Sequence, residues 1–268
     1  LGVLGMLGVL GLGACAPGGG GGGGGSPRAL DAPATDGEAA RFLTQATFGP
    51  MRGGRTGIER LRQIGVGAWL DEQRDAQPSL SRPALAKLAK QGATVEQQDR
   101  LDLWWEHAVT GEDQLRQRVA FALSQVFVIS DENDALSGDP VGMAEFYDVL
   151  VRNALGDYRR LLEEVTLSPQ MGTYLSMLQN GKGDPGANVR PDENYAREVL
   201  QLFSIGLVEL NPDGTPVTVA GEPVPTYDQP VVEALAAGFT GWTWADATSF
   251  WDYQPGWKPM ENWASHHD

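Results

Sequence analysis

The stretch "RPDENYAREVLQLFSIG", residues 190 to 206, places an amide, a guanidinium and a carboxylate close together at Asn194, Arg197 and Glu198. It follows a loop, "GKGDPGANV", that contributes Asp184 and Asn188. Oxygen donors of this kind suit a hard divalent cation, held by Asp184, Asn188 and Glu198. Arg197 suits a carboxylate or sulfate, which a guanidinium grips through two parallel hydrogen bonds. The spacing matches no established metal loop. The competing reading is a structural network, in which Glu193 meets Arg197 and Asn194 meets Glu198 one helical turn apart. Burial separates the two readings, because a buried charge is costly unless paired.

Other groups with ligand chemistry are sparse. His266, His267 and Asp268 cluster in sequence, although neighbouring side chains point in different directions. Together with the acidic loop they make a divalent metal a candidate, with the cofactor, if any, unassigned. His107, beside Trp104 and Trp105, reads as a histidine of the core or its rim. No nucleophile elbow, P-loop or dinucleotide glycine motif is present. Five tryptophans, at 242, 244, 251, 257 and 263, fall in an acidic segment. They read either as a sugar platform or as aromatic core that further chain would cover.

At the other end, residues 1 to 14 are free of charge and too short to span a bilayer, which is the pattern of a signal-peptide core. Leu12-Gly13-Ala14-Cys15 resembles the lipobox of bacterial lipoproteins, so Cys15 is the expected lipidation site. Gly18 to Gly25 would then form a flexible leash. The chain starts at Leu1 without a methionine or basic region, which points to a truncated gene model. The reading is a membrane-anchored protein on the extracytoplasmic side of the cell envelope, at the outer membrane if the cell is Gram-negative, since Ala16 rather than Asp follows the cysteine. Cys15 is the only cysteine, so an intramolecular disulfide is excluded and the fold must rest on packing.

The formal charge of −15 argues against nucleic acid as a partner. From Asp184 to Asp268 there are 13 acidic against 3 basic residues, so this third carries −10 of the total.

The elements that must position these groups read as helices. Asp36 caps a helix that Gly49 ends; Thr56 with Glu59 opens one that Gly65 ends; Thr94 with Gln97 opens a third. "EDQLRQRVAFALSQVFVIS" is apolar on nearly every side from Val119 to Ile129, as a central buried helix would be. Further helices are expected in "VGMAEFYDVLVRNAL", "DYRRLLEEVTL", "PQMGTYLSML", the stretch from Pro191 to Gly206, and "DQPVVEALAAGF". In the Pro191–Gly206 helix the buried stripe is Tyr195, Val199, Leu202 and Phe203. A Pro/Gly-rich excursion from Asn211 to Pro225 interrupts the pattern. The fold class is all-α, an irregular multi-helix domain preceded by a disordered signal and linker segment.

Three segments carry a family resemblance: "RQRVAFALSQVFVIS", "SPQMGTYLSMLQNGKGDPGANVRPDENYAREVLQLFSIGL" and "YDQPVVEALAAGFTGW", with "AARFLTQATFGP" ahead of them. In this order they resemble the large bacterial proteins of domain-of-unknown-function family 1800. The resemblance implies export, a further C-terminal portion, and gene neighbours that look sulfatase-like, hence an exported sulfatase-like protein as a candidate partner. It implies no activity. The expected organisation is residues 1–14 as signal-peptide remnant, 15–36 as lipidated cysteine and tether, and 37–268 as a family-1800-like helical domain truncated at its C-terminus. Two functions follow as expectations: a lipid-anchored binding or assembly partner of another exported protein, or an extracytoplasmic metal-assisted enzyme acting on a glycan or sulfated polymer.

Overall fold

The computed structural model describes residues 32–268 apart from positions 52, 55 and 255. The lipobox and the glycine run lie outside the described residues.

Among the described residues the chain is helical, as expected. The helices are α1 (Asp36–Ala46), α2 (Ile58–Asp75), α3 (Ser81–Lys90), α4 (Gln97–Thr110), α5 (Gln114–Ser124), α6 (Asp134–Ser137), α7 (Pro140–Asn153), α8 (Tyr158–Thr166), α9 (Pro169–Tyr174), α10 (Asn194–Gln201) and α11 (Gln229–Gly238). Two short antiparallel pairs complete the fold. β1 (Thr218–Val219) pairs with β2 (Glu222–Pro223) inside the excursion, and β3 (Trp242–Thr243) pairs with β4 (Glu261–Asn262).

α7 is the hub. Asp139 caps it by accepting the N–H of Gly142 at 2.8 Å, Pro140 occupies its first turn, and Arg152 lies in its last. Its buried residues include Met143, Phe146, Val149, Leu150 and Val151, spread around the helix rather than along one stripe. α3, α4, α5, α6, α8 and α9 all pack against it. The main core adds Phe127, Leu161, Val165, Met171, Met177, Tyr195, Phe203 and Met260. A smaller cluster joins Ala39 and Leu43 of α1 to Leu61 and Trp69 of α2.

Several boundaries differ from those the sequence predicts. The cap of α1 is Thr35, which makes a capping box with Glu38, while Asp36 sits in the first turn. Gly57 rather than Thr56 precedes α2, and α4 opens on a box formed by Glu96 and Asp99 rather than Thr94 and Gln97. In each case a nearby residue supplies the same reciprocal bonds or none is made, so composition fixes the presence of a start but not its register. Gly65 does break the helical path, at φ 82°, and the chain resumes as helix directly after it. α5 stops at Ser124, so Val126 and Phe127 enter the core from a turn, and Val128 is exposed. α3, which buries Leu85, is not among the elements expected from the sequence.

The C-terminal segment is stitched to the loop before α10. Gln179 donates its N–H to the carbonyl of Trp242 at 2.7 Å, and Lys182 donates to that of His266 at 2.8 Å. Gly241, at φ 82°, donates to Asn180 and accepts from Trp263; a β-carbon there would collide with His267. Trp244 is buried, Trp242 and Trp263 are partly covered, and Trp251 and Trp257 remain exposed.

Candidate functional site

The loop from Asn180 to Asp192 delivers α10 in a fixed pose. The Asn180 side chain accepts the N–H of Asp192 at 2.9 Å and donates to its carbonyl at 3.1 Å, closing the loop at its base. Asp184 is exposed and spends its carboxylate on its own turn, accepting from Gly186 at 2.8 Å and Ala187 at 3.3 Å. Asn188 is exposed at φ 53°, a left-handed position that asparagine tolerates. Asp192 accepts the N–H of Asn194 at 2.8 Å, so the helix starts there and not at Pro191.

On α10 itself, Tyr195 and Ala196 face the core while Asn194 and Arg197 face solvent. Tyr195 packs edge-on against Phe239, with ring centroids 5.0 Å apart, and its hydroxyl lies 2.7 Å from that of Thr166. Burial pushes that phenol well above its usual range. Phe203 is buried and Val199 packs beside it, as the stripe predicts, but Leu202 is 59% exposed. The helix ends at Gln201, so Leu202 no longer follows the helical phase.

Arg197 forms the expected ion pair with Glu193 at 2.6 Å. The pair is tied to the next helix by Gln229, which accepts from Arg197 at 2.7 Å and donates to both oxygens of Glu193 and to Glu233, each at 3.1 Å. The Gln229 hydrogen bonds, followed by the hydrogen bond and charge of Arg197, hold the Glu193 carboxyl below its usual range against the opposing effect of burial. Glu193 and Glu233 border a cleft of about 310 Å³ with Arg190, Pro191 and Ala236. An amide N–H₂ already occupies the space between the two carboxylates, which is where a bridging cation would need to sit.

Glu198 behaves differently. No hydrogen bond joins it to Asn194, and its Oε2 is buried without a partner. Burial pushes its carboxyl above the usual range. Among the candidates of the loop and α10 it is the one with a buried polar atom left without a partner, within the described residues.

The terminal cluster is dispersed. His266 stacks on Phe250, centroids 4.0 Å apart, and its Nδ1 lies 3.0 Å from Ser265 Oγ. His267 Nδ1 bonds the carbonyl of Thr240 at 3.0 Å, and the N–H of Asp268 donates to Thr240 Oγ1 at 2.9 Å. Among the described residues, no group of three or more His, Cys, Asp and Glu side chains converges as a metal-ligand set. His107 is half-buried beside Ser81, and burial pushes its imidazole below the usual range.

The ordered run of motifs along this helical chain is now joined by a match to the family described as protein of unknown function (DUF1800), over residues 41–266. The chain belongs to the DUF1800 family. No curated protein and no solved structure matches this DUF1800 chain.

Two parts of this DUF1800 protein escaped sequence reasoning. Gln229 and Glu233 belong to the Arg197 network through a contact 32 residues away, and the only signal was a polar start to a predicted helix. The second part is a charged cluster on α7. Glu145 pairs with both Arg82 and Arg152, and Asp148 accepts the N–H groups of Ser81 and Arg82 at 2.8 and 2.9 Å. Without α3 in the predicted elements, these partners had no place.

Proposed function

We propose that this protein is exported, lipid-anchored through Cys15, and acts in the cell envelope as a binding or assembly partner of another exported protein. The structural observation that supports this is an exposed apolar series just after α10. Leu202, Ile205, Leu207 and Leu210 are 59, 53, 55 and 59% exposed, and Val219 on the adjoining hairpin is 68% exposed. Exposed apolar residues gathered in this way mark protein or membrane contact surfaces. The candidate polar cluster supports the same reading, since Glu193, Arg197, Gln229 and Glu233 satisfy one another.

Anchoring rests on the Leu-Gly-Ala-Cys sequence and the glycine run behind it, which would give the folded part a long reach from the membrane. The experiment has two arms. Cys15→Ser should move the protein from the detergent phase to the aqueous phase and abolish labelling by a fatty-acid analogue. A photo-crosslinking residue at Leu207 or Leu210 should capture one defined exported protein, an exported sulfatase-like protein being the first to test, and Leu207→Asp with Leu210→Asp should remove the adduct. Retention of Cys15→Ser in the membrane sinks the anchor. Adducts that survive both charge substitutions sink the docking surface.

A second reading is an extracytoplasmic enzyme, metal-assisted and acting on a glycan or sulfated polymer. The observation in its favour is the unpartnered, buried oxygen of Glu198 with its raised pKa.

A further inference from the structure

A separate cleft of about 270 Å³ opens beside β3 and is bordered by Trp244, Asp246, Gln254, Trp257 and Lys258. Of the lining aromatics Trp257 is the open one, at 39% exposed. Tyr253 adjoins the cleft through its edge-on contact with Trp244, at 5.8 Å, and is 74% exposed. Trp244 is only 7% exposed, and its Nε1–H is buried with no hydrogen-bond partner.

Trp257 is held in place from behind. The Arg82 guanidinium lies 4.0 Å from its ring centroid, and Arg82 is itself ion-paired to Glu145 of the central helix. An indole fixed in this way meets a ligand without first losing rotamer freedom. At the rim, Asp246 and Lys258 pair with one another while both side chains stay more than half exposed.

An aromatic face rimmed by a carboxylate, an amide and an ammonium fits a sugar. The C–H face of a pyranose packs on an indole or phenol ring. Its hydroxyls donate to Asp246 and Gln254 and accept from Lys258 and Gln254. The cleft is at the small end for an enclosed ligand, so it suits a few residues of a longer chain. Charge narrows the class further. Residues 242–268 hold four acidic residues against one basic, and a polyanionic glycan would meet that surplus unfavourably.

We propose that this cleft binds an uncharged polysaccharide, with Trp257 in the cleft and Tyr253 beside it as stacking surfaces for successive sugars and Asp246, Gln254 and Lys258 as hydroxyl partners. The assignment is independent of the anchor and of any protein partner.

The test is a tryptophan-fluorescence and calorimetric titration of the full chain with cellohexaose and N-acetylchitohexaose, with dextran sulfate as the polyanionic probe. The expected result is saturable binding of at least one neutral hexasaccharide and none of dextran sulfate. Tyr253→Ala and Trp257→Ala should each weaken binding by about tenfold or more, the scale of one lost contact. Trp257→Ala also removes the Arg82 contact. Tyr253→Ala, at a far more exposed position, therefore serves as the variant whose fold is unaffected, with circular dichroism as the check. Failure of both hexasaccharides to bind, equal binding by wild type and both variants, or preference for dextran sulfate would each overturn the assignment.

Discussion

Asp148, buried in the middle of α7, accepts the backbone N–H of Ser81 at 2.8 Å and so caps the start of α3 from a different helix. Its other oxygen accepts from Arg82 at 2.9 Å. Burial raises its carboxyl to about 6, against the pull of these two bonds; the charge of Glu145 adds to the rise and that of Arg152 opposes it.

The sign of the pH effect follows. Between roughly pH 4 and 6 the folded chain holds a proton on Asp148 that the unfolded chain has released, so stability falls as pH rises through that window. The contribution is on the order of 2–3 kcal/mol. Asp148→Asn should flatten this slope in urea unfolding followed from pH 4 to 7. An unchanged slope would assign the effect to other groups.

Glu198→Gln should not destabilise the protein. It removes a charge whose Oε2 has no partner, so stability at pH 7 is expected to hold or to rise by up to about 1 kcal/mol. The same variant separates the functional readings. If Glu198 carries chemistry, an envelope phenotype is lost while the melting temperature is kept; if it is structural, both are retained.

Gly142→Ala should be harmful despite alanine's better helix propensity. A β-carbon there would run into the Asp139 carboxylate and the Gln170 amide, which bond each other at 2.9 Å. Because Asp139 also caps α7, the clash falls on the hub of the fold. Relief of the crowding is expected to cost about 1–3 kcal/mol, more than the gain of about 1 kcal/mol from propensity. Differential scanning calorimetry reads the net effect, and a higher melting temperature would contradict it.

Tyr195→Phe tests the link between α10 and α8. The ring packing against Phe239 stays, while the 2.7 Å contact between the Tyr195 and Thr166 hydroxyls is lost. Thr166 keeps its own bond to the carbonyl of Leu162, so no donor is stranded, and the expected loss is about 0.5–1.5 kcal/mol. A double-mutant cycle with Thr166→Val isolates the coupling, and a zero coupling energy would mean the hydroxyls do not stabilise one another.

The helices were legible because apolar spacing and capping residues are local. α8 and α11 lie inside the stretches expected to be helical, and the first residue of each stretch, Asp157 and Asp228, turns out to be the cap. Starts with several adjacent polar residues slipped by a residue or two, as at Thr35 and Glu96, because each neighbour offers a similar cap. α3 was missed because what holds its start is Asp148, a residue 67 positions away. The Glu193–Arg197 pair was predicted from helical spacing, yet its ties to Gln229 and Glu233 depend on how α11 lies against α10.

The sequence by itself determined the helical class, the family, the placement of most helices and the polar set on α10. These are consequences of local pattern and residue order. Tertiary packing alone decided which of those polar groups are satisfied. It left Glu198 with an orphaned oxygen, used Asp184 for its own turn, and scattered His266, His267 and Asp268 among Phe250 and Thr240. It also set Arg82 of α3 against Trp257, 175 positions later in the chain, and so fixed an indole at the edge of an open cleft. Solvation and pairing depend on which distant atoms exclude water, and no local spacing encodes that.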